Sequence, residues 1–209
     1  MHYRYGRLTA IGCGLAGLFL AAEPALAHHV MGGRMPATFG EGFLSGLGHP
    51  VIGLDHFAAV VAVGCLAAAH RAGAVLALGF VAAMMLGVAA HLGGATVPGA
   101  ELLVALTVVG LGVAVVRTPP LPAAAAVALF VAAGLVHGYA LGESIYGAER
   151  APLAAYLIGL DVIQVAIALA ALNVTLALVR RSPTPVRLIG AGVAGIGLAF
   201  LMQNIVPAV

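Results

Sequence analysis

Six apolar stretches of bilayer-spanning length, joined by breaks of a few residues, leave this chain few ways to fold. They run at about 43–69, 73–91, 100–116, 121–142, 152–179 and 186–207. A helix needs about 20 apolar residues to cross the hydrocarbon core. No stretch shows the two-residue alternation of an outer-membrane strand. Only 8% of the residues are charged, against roughly a quarter in a soluble domain. The breaks at Arg71, Gly93 to Pro98, Arg117 to Pro122, Gly147 to Pro152 and Arg180 to Arg187 leave no room for a soluble domain. The predicted fold is all-α: one polytopic membrane bundle of six transmembrane helices over residues 28–209.

Residues 1–27 read as a cleaved secretory signal peptide. Arg4 and Arg7 supply the basic start, Leu8 to Ala22 the apolar core, and Ala25-Leu26-Ala27 the small-residue cleavage site. Cleavage makes His28 the new N-terminus, followed by His29; the alternative is an uncleaved first helix. With the mature N-terminus outside, Arg71, Arg117, Arg180, Arg181 and Arg187 fall in inner loops, and only Arg34 and Arg150 outside. That bias obeys the positive-inside rule. It predicts a multi-pass protein of the bacterial inner membrane with both mature termini periplasmic.

All nine basic residues are arginine. Without lysine there is no Walker A motif and hence no ATPase of its own, and no Schiff base for a retinal-type bundle. A net charge of +2 gives no footing for nucleic acid. Cys13 lies in the signal peptide, so Cys65 is the one thiol of the mature chain and no internal disulfide forms. Gly190-Ala-Gly192-Val-Ala-Gly195 matches a dinucleotide fingerprint, but no βαβ unit surrounds it. With Gly197 it reads as a small-residue face for close helix packing. Such Gly-rich faces are compatible with a homo-oligomer. The common zinc-protease and serine-hydrolase signatures are missing, and the chain is read as a non-enzyme.

Against this apolar background the segment His49-Pro-Val-Ile-Gly-Leu-Asp55-His56 stands out. Ionisable groups at membrane depth are costly and usually face a cavity, a partner or an ion. These three are also transition-metal ligand types. His49 and His56, two turns apart, share a face of a continuous helix, while Asp55 points about 100° away from His56. Gly48, Pro50 and Gly53 make a broken helix a second possibility, and broken membrane helices are where transporters place ion sites. Asp55 as an orienting neighbour of a histidine is a third.

The fourth segment ends His137-Gly-Tyr-Ala-Leu-Gly-Glu143-Ser144, and His91 and Glu101 flank a short outer Gly/Pro loop. In the fifth segment Asp161 and Gln164 lie about one turn apart, with Asp161 a candidate proton carrier. His28, His29, Glu41, His49, His91, Glu101, Glu143 and Glu149 fall in the outer loops or near outer helix ends, resembling an entry funnel for a cation. For any one of these histidines, hydrogen bonding to a neighbouring helix is the competing explanation. His70, beside Arg71, reads as a solvated end residue.

At these residues the chain resembles the HupE/UreJ family of small nickel permeases. The family's first-helix motif HPxxGxDH stands here as His49, Pro50, Gly53, Asp55 and His56. Its fourth-helix motif, roughly FHGxAHGxE, appears as Val136-His137-Gly138-Tyr139-Ala140-Leu141-Gly142-Glu143, and its Pro-Gly-x-Glu pattern as Pro98-Gly99-Ala100-Glu101. A mature terminus beginning with His28 also fits. Two positions depart: Leu141 replaces a histidine, and the fifth helix carries Asp161 and Gln164 where members often carry Thr and then His. Exchanging nitrogen for oxygen ligands shifts preference toward harder ions.

The resemblance implies a permease for a divalent transition metal, Ni²⁺ foremost, with a hydrogenase or urease as consumer. His49, Asp55, His56, His137 and Glu143 would form a transient site; His28, His29, His91 and Glu101 would gather or admit the ion. No prosthetic group is expected, and the metal is cargo. Two alternatives stand beside this: a b-type haem protein ligated by His49, His56 or His137, and a metal-binding accessory subunit that does not transport.

Overall fold

The computed structural model describes residues 34–206, and every residue with an assigned element in it is helical. The signal peptide expected at 1–27 and the His28/His29 terminus lie outside the described residues. Seven helices follow in order: α1 Phe39–Ile52, α2 Leu54–Ala67, α3 Gly73–Leu92, α4 Ala100–Val116, α5 Ala123–Glu143, α6 Arg150–Val179 and α7 Thr184–Ile205.

Of these, α3, α5, α6 and α7 are each long and apolar enough to cross a membrane, and α1 with α2 adds a fifth candidate if counted as one bent span. The 17 residues of α4 reach about 25 Å at 1.5 Å per residue, short of the ~30 Å hydrocarbon core. The structure thus shows four to five candidate spans among the described residues.

The first apolar stretch is two helices meeting at 76°. Pro50 does not make the break; it stays inside α1. The turn falls at Gly53 (φ −70°, ψ 96°), whose N–H still bonds the His49 carbonyl while the chain leaves the helix. A Cβ at Gly53 would come within 3.0 Å of His56 Cδ2 and 3.3 Å of the His49 carbonyl oxygen. Glycine keeps a side chain from pressing on both. Upstream, Thr38 caps α1 by accepting the Glu41 N–H, and the Glu41 carboxylate takes the Ala37 N–H and Arg34.

Glycine also lets the helices approach backbone to backbone, the usual means of association where lipid gives no hydrophobic drive. Gly42 and Gly46 of α1 lie against Pro152 and Tyr156–Leu160 of α6, and Gly64 of α2 against Ala168 and Leu172. Gly134, Gly138 and Gly142 seat α5 on Phe80, Met84 and His91 of α3. Gly190 meets Gly112 and Val115, and Gly197 meets Ala105 and Val109, joining α7 to α4. So Gly190 and Gly197 do form the expected packing face, whereas Gly192 and Gly195 look into open space.

These registers fix direction. Contacts advance together along α1–α2 with α6, and along α3 with α5, so those pairs run parallel. Along α4 and α7 they run oppositely.

At the centre stands α2. It touches all six other helices, and Ala58, Ala59, Val60, Ala62, Val63 and Ala67 are buried along its length. Small side chains let one helix be surrounded on every side. The same position brings its first turn, with Asp55 and His56, into the interior.

Candidate functional site

The break juxtaposes two helix ends. His49 lies in the last turn of α1, Asp55 and His56 in the first turn of α2, and all three are buried. The Asp55 carboxylate accepts the His56 N–H at 2.8 Å, satisfying one of the orphan donors that open a helix. Its charge also suits the positive N-terminal end of α2. The bend leaves the His49 and His56 rings edge to face, 5.9 Å between centroids.

Three other helices and one turn complete a buried polar network. His137 of α5, fully inaccessible, places Nδ1 2.9 Å from His56 Nδ1, with ring centroids 5.0 Å apart. Its Nε2 lies 3.0 Å from Thr107 Oγ1 on α4, and that hydroxyl donates to the Val104 carbonyl at 2.7 Å. On the other side, His49 Nδ1 lies 3.1 Å from Ser144 Oγ and 3.2 Å from the Tyr156 hydroxyl. Both hydroxyls donate to the Leu141 carbonyl. Two arms, one per imidazole, thus hold the rings across the break.

Thr107, Ser144 and Tyr156 were not singled out from the sequence. Ser144 follows Glu143 directly; one residue is about 100° of helix rotation. Accordingly Ser144 turns inward to His49 while Glu143 is exposed. Thr107 and Tyr156 gave no signal beyond a hydroxyl in an apolar run.

The remaining expected residues are not gathered at this point. Glu101 is exposed in the first turn of α4. His91, half-buried at the end of α3, packs its ring on Tyr139 at 4.6 Å and Tyr146 at 5.5 Å, and its buried Nδ1 has no hydrogen-bond partner. Asp161 is exposed on α6, whereas Gln164 is fully buried and neither amide atom has a partner. Among the described residues no three His, Cys, Asp or Glu side chains are already placed to hold one metal ion. The interior offers imidazoles in pairs.

The family model described as HupE / UreJ protein matches residues 16–200. The chain belongs to the HupE/UreJ family. The match takes in every helix but the end of α7, and so the whole buried network. Protein HupE of Rhizobium leguminosarum bv. viciae is 34% identical over 141 residues, covering 66% of this chain and 68% of that protein. No solved structure matches. Membership and apolar helices together define a HupE/UreJ membrane protein whose most polar interior point is the break at Gly53.

Proposed function

We propose that this protein is a permease that carries a divalent transition-metal cation, Ni²⁺ foremost, from the periplasm to the cytoplasm. The observation carrying the proposal is the broken central element. His49 and Pro50, near the negative C-terminal end of α1, are buried, and the Asp55 carboxylate offsets the positive end of α2. A cation entering there meets carbonyl dipoles, one carboxylate and two imidazoles in an otherwise apolar bundle. Broken helices in transporters place ion sites in the same way.

The ring spacing supports the pair. With metal–nitrogen distances of about 2.0–2.1 Å, two imidazoles on one ion have ring centres about 5–6 Å apart, and His49 and His56 stand at 5.9 Å. Among the described residues no third His, Cys, Asp or Glu is already placed with them on one ion, and such a two-imidazole site is loose, as a conducting site must be to release its ion. Imidazole donors favour late first-row metals.

Helix directions support six crossings. A chain that crosses six times sends its first and fifth spans one way, its second and fourth the other, and its third opposite to its sixth. Those are the registers of α1–α2 with α6, α3 with α5, and α4 against α7. With the arginine bias, this supports a reading in which both mature termini lie in the periplasm of an inner-membrane protein. His28, His29, His91, Glu101 and Glu143 then gather the ion outside, and Asp161 and Gln164 are candidates for coupling. The consumer would be a hydrogenase or urease.

The haem alternative needs two imidazoles on opposite faces of a porphyrin. His56 and His137 touch directly, leaving no room between them. The accessory-subunit alternative predicts binding without uptake. Uptake of ⁶³Ni²⁺ into proteoliposomes decides, comparing wild type with Asp55→Asn and His56→Ala. Asparagine keeps an oxygen that can accept the His56 N–H but lacks the charge. Uptake that both substitutions abolish is the expected result; folded protein that takes up no Ni²⁺, Co²⁺, Cu²⁺, Zn²⁺ or Mn²⁺ would overturn the proposal.

A further inference from the structure

Thr107 has a single hydroxyl hydrogen, and it lies on the Val104 carbonyl, 2.7 Å away and one turn back along α4. Its oxygen can then meet His137 Nε2, at 3.0 Å, only as an acceptor. His137 Nε2 must therefore carry a hydrogen. In the neutral ring the lone pair is then on Nδ1, the atom 2.9 Å from His56 Nδ1. The donors run one way: His56 Nδ1–H to His137 Nδ1, His137 Nε2–H to Thr107 Oγ1, Thr107 O–H to the Val104 carbonyl. In neutral His56 the lone pair is consequently on Nε2.

We infer that Thr107 is a positioning residue for the cation site: it fixes His137 as the Nε2–H tautomer, and His137 in turn holds the His56 ring so that the cation meets its Nε2. His137 orients the ligand from behind and does not itself contact the ion. This rests on the reading of the chain as a cation permease and assigns a role to a hydroxyl that no motif contains. A second layer of this kind is common around metal-binding imidazoles, where the distal N–H is held by an acceptor. Here the acceptor is a second histidine, held by a third group.

The test has two arms. Ring-¹⁵N histidine spectra of the wild-type protein in nanodiscs, with His137 assigned by loss of its signals in His137→Gln, report the tautomer directly. The expected pattern is protonated Nε2 and unprotonated Nδ1 on His137. Thr107→Val, which keeps the shape and removes the hydroxyl, should abolish that tautomer preference, and Thr107→Ser should restore it. In ⁶³Ni²⁺ uptake, Thr107→Val should fall by about 10-fold or more, the usual scale for loss of such an outer partner, with Thr107→Ser near wild type. A wild-type His137 carrying its hydrogen on Nδ1 overturns the inference, whatever the uptake. So does a Thr107→Val protein with unchanged tautomer and unchanged uptake. If the wild type transports no cation but the spectra show Nε2–H lost in Thr107→Val, the permease reading fails while the hydrogen-bond assignment stands.

Discussion

His49 is held at one nitrogen by two hydroxyls, from Ser144 and Tyr156, so either alone still restrains the ring. A hydrogen bond of this kind contributes about 1 kcal/mol. Tyr156→Phe or Ser144→Ala should each lower ⁶³Ni²⁺ uptake only a few-fold, and the double variant more than the product of the two, since only then is the ring released. Initial uptake rates of the three variants check this; a double variant no worse than either single would show that the hydroxyls do not orient His49. Gly53→Ala belongs to the same scale. Its methyl would press on His56 Cδ2, so uptake should drop while thermal stability changes little.

Of the site, the acid and the imidazoles were legible in the sequence because a charge in a membrane-length apolar run calls for an explanation. The hydroxyls were not. Thr and Ser in helices commonly bond their own carbonyl three or four residues back, as Thr107 and Ser144 do here, and sequence cannot show that the same oxygen also meets a histidine 30 or 95 residues away. Glu143 illustrates the limit from the other side: its place beside the motif was plain, but its helical phase was not.

At the scale of elements, each close helix pair rests on particular glycines. Gly46→Ala would drive a methyl into the Tyr156 carbonyl and the Leu160 backbone, and overpacking of this kind costs about 1–3 kcal/mol. Gly79 and Gly110 meet nothing within 4 Å; alanine there should leave stability unchanged or raise it by up to about 1 kcal/mol. Thermal unfolding of the purified variants in detergent separates the two classes. Equal losses at all three positions would mean that the α1–α6 contact is not what glycine protects. The sequence marked the first apolar stretch as breakable but left Gly48, Pro50 and Gly53 as rival positions. Pro50 stays inside α1, whereas the chain turns at Gly53, where a Cβ would press on the His56 ring and the His49 carbonyl.

The described residues form a surrounded helix with paired helices around it, and the proposed six crossings put successive loops on alternate sides. In a Cys65→Ala background, Ala95→Cys in the loop before α4 should react with an impermeant thiol reagent added outside, and Ser182→Cys before α7 only after the membrane is opened. Labelling of both from one side would rule out the alternating path. Span lengths were legible from hydropathy to within a few residues. The exception was the bent first element, which begins at Phe39, because hydropathy measures length along the chain and is blind to a change of axis; the short α4 lies where it was expected, at 100–116.

In the proposed permease the broken central element presents His49 and His56 to one cation. Nickel K-edge X-ray absorption on the purified, nickel-loaded protein tests it most directly. The expected result is imidazole scattering from two histidines around the ion, halved in His49→Ala and in His56→Ala and unchanged in Glu101→Gln. A shell of oxygen alone, or an imidazole pattern that survives loss of both histidines, would contradict it.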